Sequence, residues 1–229
     1  MACGGKAAAK LSSDGLGYTL AKSLYHSIIS TNPALVQLNL DEKFLHKTSG
    51  VKIEGSVSVI VNSKAKKTVR DDILLTNYGI SGSAILDISR EVGRALAKKE
   101  RVNLRINLLP EFTFHLLYSL LEKKLQRDPQ TKISMLLVGI INQKLILPLL
   151  QKQGLDVESS YNSLDAKKLK ALVNTLLAWE LSVKSARSFD YAETTAGGVD
   201  TSEIDAKTMQ SKKVKNLYFT GEILDIDGD

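Results

Sequence analysis

The sequence predicts an α+β protein: a β-rich part, sheet or barrel, joined to a three-helix subdomain. Three observations carry this. Apolar residues alternate with polar ones at Val51, Ile53, Val57, Val59 and Val61, the two-residue period of a half-buried strand. From Glu111 to Trp179 the apolar spacing becomes helical, as in Phe114-Leu117-Leu121-Leu125. Alternation then resumes at Leu181, Val183 and Ala186, so the chain returns to the sheet.

Taken in order, Ser12-Ser13-Asp14-Gly15 reads as a cap for a helix whose apolar face is Tyr18, Leu20, Ala21, Leu24 and Ile28. Asn32-Pro33 breaks it, and a strand is expected over residues 34–40. Within the alternating run, Glu54-Gly55-Ser56 is expected to be a hairpin or bulge. Residues 66–75 and 101–108 give two further strands. Between them a helix capped by Ser81 carries Ala84, Ile85, Ile88, Val92 and Leu96 on one side. Of the three later helices, the second is expected over 135–150, with Pro148 kinking or ending it, and the third over 164–177 with Asp165 as cap. Trp179, the only tryptophan, is expected to pack the helices against the sheet. Leu217-Tyr218-Phe219 reads as a buried strand.

Composition removes several classes of function. With 43% hydrophobic and 24% charged residues among 229, the chain is neither disordered nor a membrane protein by composition. Met135 to Ile141 is too short to span a bilayer, and no signal segment opens the chain. One cysteine, Cys3, excludes an internal disulfide and fits the reducing cytoplasm. The histidines His26, His46 and His115 are isolated, so no metal site is expected. Residues 190–229 hold nine acidic and four basic side chains, which leaves +11 of the +6 total on the preceding 189. Those lysines are scattered, with short clusters at Lys64-Ala65-Lys66-Lys67, Lys98-Lys99 and Lys167-Lys168 but no interleaved aromatics, and read as a solvated face; neither nucleic acid nor membrane is expected as partner. No catalytic residue is assigned: Cys3 has no histidine near it in sequence, and Gly79-Ile80-Ser81-Gly82 does not match a nucleophile elbow.

Chemistry is carried by four glycine-marked segments. Ala2-Cys3-Gly4-Gly5 and Thr195-Ala196-Gly197-Gly198-Val199-Asp200 hold paired glycines of the kind that let backbone lie against a flat or phosphorylated ligand. Thr76-Asn77-Tyr78-Gly79-Ile80-Ser81-Gly82 is a strand-to-helix turn, either a plain cap or an anion-holding one. Leu217 to Glu222 ends on Gly221 and a carboxylate suited to accept hydrogen bonds from sugar hydroxyls.

Together these segments, with Lys6 and the Asp14-Gly15-Leu16-Gly17-Tyr18-Thr19-Leu20-Ala21 helix start, resemble the bacterial FAD-binding flavoproteins that include aminoacetone oxidase-like and 3-dehydro-bile acid reductase-like proteins. Order and spacing match over essentially the whole chain. The resemblance implies an FAD-dependent oxidoreductase with a small-molecule substrate, and leaves NAD(P) open as a second cofactor. Residues 1–32 and 190–229 would be strips of a Rossmann-like FAD domain, 33–110 with 180–189 a β-rich insert, and 111–179 the helical subdomain. Gly4 and Gly5 would lie near the dinucleotide, Glu222 after Gly221 would meet the ribityl chain, and Asp225, Asp227 and Gly228 would lead towards the flavin ring. Thr195, Ala196, Gly197 and Gly198 would border the flavin, with Asn77, Tyr78 and Ser81 on the substrate side.

Three departures from the family pattern matter. The G-x-G-x-x-G fingerprint is absent, and so is the G-G-Y-N-L-Q-like segment that follows Asp227-Gly228 in the family. Asn77 and Ser83 stand where the family has histidine and proline. The expectation is therefore a fragment, insert plus flanking strips, unable to hold FAD alone and relying on the remainder of the FAD domain. The competing expectation is a stand-alone, non-catalytic binding or scaffold domain. The insert, residues 33–189, is expected to fold by itself.

Overall fold

The computed structural model describes residues 1–11 and 13–226. The chain divides into two compact units, visited alternately: residues 1–39, 85–101 and 184–229 form one, and 40–84 with 102–183 form the other.

The second unit is organised by a closed six-stranded barrel. Its strands are β2 (Leu38–Leu40), β3 (Lys52–Val61), β4 (Lys64–Leu75), β5 (Gly79–Ser81), β6 (Val102–Asn107) and β7 (Trp179–Ala186). Their order around the barrel is β2-β5-β4-β3-β6-β7. The expected alternation sets the pleat: Val57 pairs with Val69 and Ile106, and Leu104 with Leu181. Val57, Val59, Leu104, Ile106 and Leu181 are buried, while Lys52, Glu54, Thr68 and Arg105 face water. Closure pairs edges that would otherwise be open to aggregation.

Glu54-Gly55-Ser56 is not a hairpin or bulge. β3 runs straight through it, because glycine there admits the Asn107 carbonyl, which would lie 2.7 Å from a Cβ at position 55. The register shift falls later, between Val59 and Ile60. Ser81 is also not a helix cap. It ends β5, and α3 begins at Ser83 and runs to Ala97.

The helical subdomain holds α4 (Phe114–Arg127), α5 (Gln143–Lys152) and α6 (Ala166–Leu177), capped by Thr113, Asn142 and Asp165. The expected helix over 135–150 is only half there. Residues 133–135 form one 3₁₀ turn, Gly139 sits at φ +82°, and helix resumes at Gln143. The carbonyls that a helix would have used go to a side chain: Lys124 Nζ donates to Met135 O, Leu136 O and Val138 O at 3.2, 2.9 and 3.1 Å. Burial holds that ammonium below its usual pKa. Pro148 sits inside α5, which continues to Lys152. Trp179 is buried, lies 5.0 Å from the ring of Phe44, on the short helix α2 (Leu45–Thr48) side, and carries Lys152 Nζ of α5 over its face at 5.9 Å.

The first unit is built from α1 (Leu16–Ser23), most of α3, and a two-stranded antiparallel sheet of β1 (Ile28–Ala34) and β8 (Thr194–Val199). Asn32-Pro33 does not end a helix; α1 stops at Ser23, and Asn32 and Pro33 lie in β1, paired with Ala196 and Thr195 beyond a register shift. An edge strand with a bulge tolerates a proline, which has no N–H to donate. The expected strand over 34–40 is reduced to β2, because Leu35 adopts φ +46°. The core gathers Tyr18, Ala21, Val199, Ile204, Phe219, Ile223 and Leu224. Leu217–Phe219 is not a strand; Tyr218 makes only an isolated bridge to Gln210, while Phe219 is fully buried. Among the described residues no helix is long and apolar enough to cross a membrane.

Candidate functional site

Three distant stretches of the first unit meet around one threonine. Thr195 is the second residue of β8, and its Oγ1 accepts from Lys6 N at 2.7 Å and Ala7 N at 3.0 Å. Its own N–H donates to Glu222 Oε1 at 2.6 Å. Gly5 lies directly beneath: a Cβ there would stand 2.6 Å from Thr195 Oγ1 and 2.8 Å from the Glu222 carboxyl carbon. Ser13 Oγ fixes the same turn by donating to Gly5 O at 2.6 Å. The Glu222 carboxylate is thus aimed by one backbone donor while the residue stays exposed. Gly221, at φ +79°, has open space where its side chain would be.

Tyr18 completes the cluster from α1. Burial raises its pKa to about 12, helped by the Glu222 charge and opposed by a hydrogen bond with Thr195. The phenol therefore stays protonated through the neutral range.

The β8 glycines serve the protein's own backbone. A Cβ at Gly197 would lie 2.4 Å from Ser30 O of β1, and one at Gly198 would lie 2.6 Å from Ile223 O. The close passage at Gly198 allows a parallel bridge: Val199 N donates to Ile223 O at 2.8 Å, and Asp225 N donates to Val199 O at 2.9 Å. Asp225 also opposes the burial that pushes the Arg90 guanidinium of α3 down.

Gly4, Gly5, Thr195, Ala196, Gly197, Gly198, Gly221, Glu222 and Asp225 all belong to the first unit, and of these Gly5, Thr195 and Glu222 meet directly. Asn77, Tyr78 and Ser81 belong to the barrel unit, where Thr76 and Gly79 close the turn through Thr76 N to Gly79 O at 2.9 Å. Asp227 and Gly228 lie outside the described residues. Among the described residues no group of three or more His, Cys, Asp or Glu side chains could hold a metal ion.

A second network was not visible in the sequence. Lys213 Nζ donates to Tyr25 O at 2.8 Å and Glu203 Oε1 at 2.5 Å, and Ser27 N donates to Glu203 Oε2 at 3.0 Å. Between these clamped residues, His26 is buried, with Nε2 2.8 Å from Ser211 Oγ and its ring 4.7 Å from that of Phe219. Burial pushes the Glu203 carboxyl up, but the bonds from Lys213 and Ser27 and the lysine charge outweigh it and hold the pKa down at about 2. No local motif marks these residues, because the partners are up to 188 positions apart.

A closed antiparallel barrel with a helical appendage in one unit, and in the other a glycine turn set against an aimed carboxylate, define the class: a barrel-and-helix domain protein. Residues 32–194 match the family model described as the HI0933-like protein barrel and H2TH domain. The chain belongs to that family of FAD-dependent oxidoreductases. It is 32% identical over 228 residues to the 3-dehydro-bile acid delta(4,6)-reductase of Clostridium scindens, covering 100% of this chain and 56% of that protein. It is 30% and 28% identical over 230 residues to the ribosomal RNA dihydrouridine synthases of Haemophilus influenzae and Escherichia coli, again covering 100% of this chain and 54% of each relative. The chain thus spans about half the length of the curated relatives it matches.

Proposed function

We propose that the chain is the insert-bearing part of a longer, cytoplasmic FAD-dependent reductase, and that it does not hold FAD stoichiometrically by itself. The aimed Glu222 carboxylate carries the reading. One oxygen takes the Thr195 N–H, which leaves the other to accept from a sugar hydroxyl of the cofactor. The open space at Gly221 suits close approach there, whereas the glycines of β8 are occupied by neighbouring backbone. The flavin supplies the electron transfer when bound; this chain's residues orient it and keep the Tyr18 phenol protonated. A pyrophosphate cradle of the fingerprint type is missing from the sequence, which is why weak binding is expected. The relatives, a reductase and a dihydrouridine synthase, support reduction of an unsaturated substrate.

Titration of purified protein with FAD, followed by flavin fluorescence, tests this. The expected result is weak quenching that Glu222→Ala abolishes and no flavin retained on gel filtration. Stoichiometric retention overturns the fragment reading; quenching indifferent to Glu222→Ala overturns the site. The scaffold-domain alternative requires residues 190–229 to be dispensable, yet Val199, Ile204, Phe219, Ile223 and Leu224 from that segment are five of the seven buried residues in the cluster that holds α1.

A further inference from the structure

The barrel unit holds a crevice of about 560 Å³ that takes no part in the glycine site, and its volume is that of a small-molecule site. Phe44, which caps the α2 turn, and Leu147 and Pro148 of α5 give it apolar walls. Phe44 is half-buried, and its ring lies 5.0 Å from that of Trp179, tilted by 36°. Leu147 stays 38% exposed, an apolar side chain left uncovered where the surface is concave.

Three lysines stand around these walls. Lys43 and Lys47 are four residues apart, and the bonds from Lys47 N and Thr48 N to Phe44 O make that stretch a helical turn, which puts two like charges on one side of it. Both are exposed, and neither has an ion-pair partner among the described residues. Lys152 is fixed: its Nζ donates to Glu180 O at 2.9 Å and stands 5.9 Å over the Trp179 ring. Asp41 and Glu42 line the same crevice, and Glu42 Oε1 lies 3.9 Å from Lys152 Nζ, beyond hydrogen-bond length. Three cations against two carboxylates leave one positive charge, which favours a monoanion over a dianionic phosphate.

We propose that this crevice binds a small aromatic carboxylate. The ring extends the Phe44–Trp179 pair and covers Leu147 and Pro148, while the carboxylate joins the charges of Lys43 and Lys47. A sugar or an inorganic anion has no apolar surface to match these walls, and an uncharged hydrocarbon leaves the lysine pair unanswered. Every group involved belongs to the barrel unit, so the inference does not depend on flavin binding and the two fail separately.

Trp179 is the only tryptophan, and it meets the crevice through Phe44 and Lys152, so its emission reports occupancy. The full chain is titrated with 3-phenylpropionate, with excitation at the red edge of indole absorption where a phenyl ring is transparent, and binding is measured in parallel by equilibrium dialysis. Half-saturation is expected below about 10 mM. The uncharged 3-phenylpropionamide is expected to bind about fivefold more weakly or worse, and 3-cyclohexylpropionate about threefold more weakly. Lys43→Ala/Lys47→Ala should weaken 3-phenylpropionate about tenfold and remove most of its salt dependence, whereas Lys43→Arg/Lys47→Arg should keep both. Lys64→Ala/Lys66→Ala, beyond the other end of β3, should bind like wild type. The proposal is overturned if dialysis shows no saturable binding, if the amide binds as well as the acid, if the cyclohexyl acid binds as well as the phenyl one, or if the Lys64/Lys66 variant loses as much as the Lys43/Lys47 variant.

Discussion

The two units hold themselves together by different means. The barrel is secured by its ladders: β3 pairs antiparallel with β4 and β6, β4 with β5, and β6 with β7, within a closed ring of strands. The other unit has only a two-stranded sheet, marginal alone. Its cohesion comes from side chains that grip remote backbone, Thr195 holding residues 6 and 7, and Glu203 with Lys213 holding the turn after α1. Regular hydrogen bonding tolerates local change; a knot of a few side chains does not. The unit that carries the glycine motifs is therefore the more fragile of the two.

The sharpest break is deletion of residues 190–229. It removes all five buried partners of Tyr18 and Ala21 in their cluster, so the first unit is expected to unfold and the shortened protein to aggregate. Hydrogen exchange should still show protected amides in β3 and β6; loss of that protection would mean the barrel is not independent.

Single truncations sharpen the contrast. Phe219→Ala should cost about 3–5 kcal/mol and raise exchange in β1 and β8 alone, whereas Leu104→Ala, at about 2–5 kcal/mol, should raise it in the barrel. If either variant loosens both units equally, they are one cooperative body.

Thr195→Val keeps the N–H that aims Glu222 but leaves the Lys6 and Ala7 amides without their acceptor. A loss of about 1–3 kcal/mol in denaturant unfolding is expected, with Thr195→Ser near wild type. Equal behaviour of the two variants would show that the hydroxyl does not hold the turn.

The smallest effect is electrostatic. Glu203 has a folded pKa of about 2 against an ordinary 4.5. A depressed carboxylate contributes stability that is complete above the unfolded value and is lost as pH falls through the folded one. Melting between pH 5 and pH 2 should therefore show a decline, about 1 kcal/mol after solvent screening, that Glu203→Gln lacks. A decline unchanged in Glu203→Gln would place the sensitivity elsewhere.

The barrel strands were legible because burial on one face writes itself as alternation; β3, β4, β6 and β7 lie within a few residues of their expected positions. α4 and α6 were legible from their spacing and, for α6, from the Asp165 cap. The helix expected over 135–141 failed because Lys124, from another helix, takes its carbonyls. Ser81 failed as a cap because a strand pairing with β4 claimed it first. The glycine motifs have a local physical reason in the structure: at Gly5, Gly197 and Gly198 the close neighbour is the protein's own side chain or backbone.

By itself the sequence determined what depends on near neighbours along the chain: periodicity, turn chemistry, the family pattern, and the mixed α+β class. Only the tertiary structure decided which distant groups meet. It set Thr195 between the amides of Lys6 and Ala7 and the carboxylate of Glu222, and it aligned Ser58 with Thr68 of β4 on one side and Arg105 of β6 on the other. The physical reason is that a hydrogen bond or a shared face depends on distance in space, and strand register fixes that distance between residues whose separation in sequence carries no trace of it.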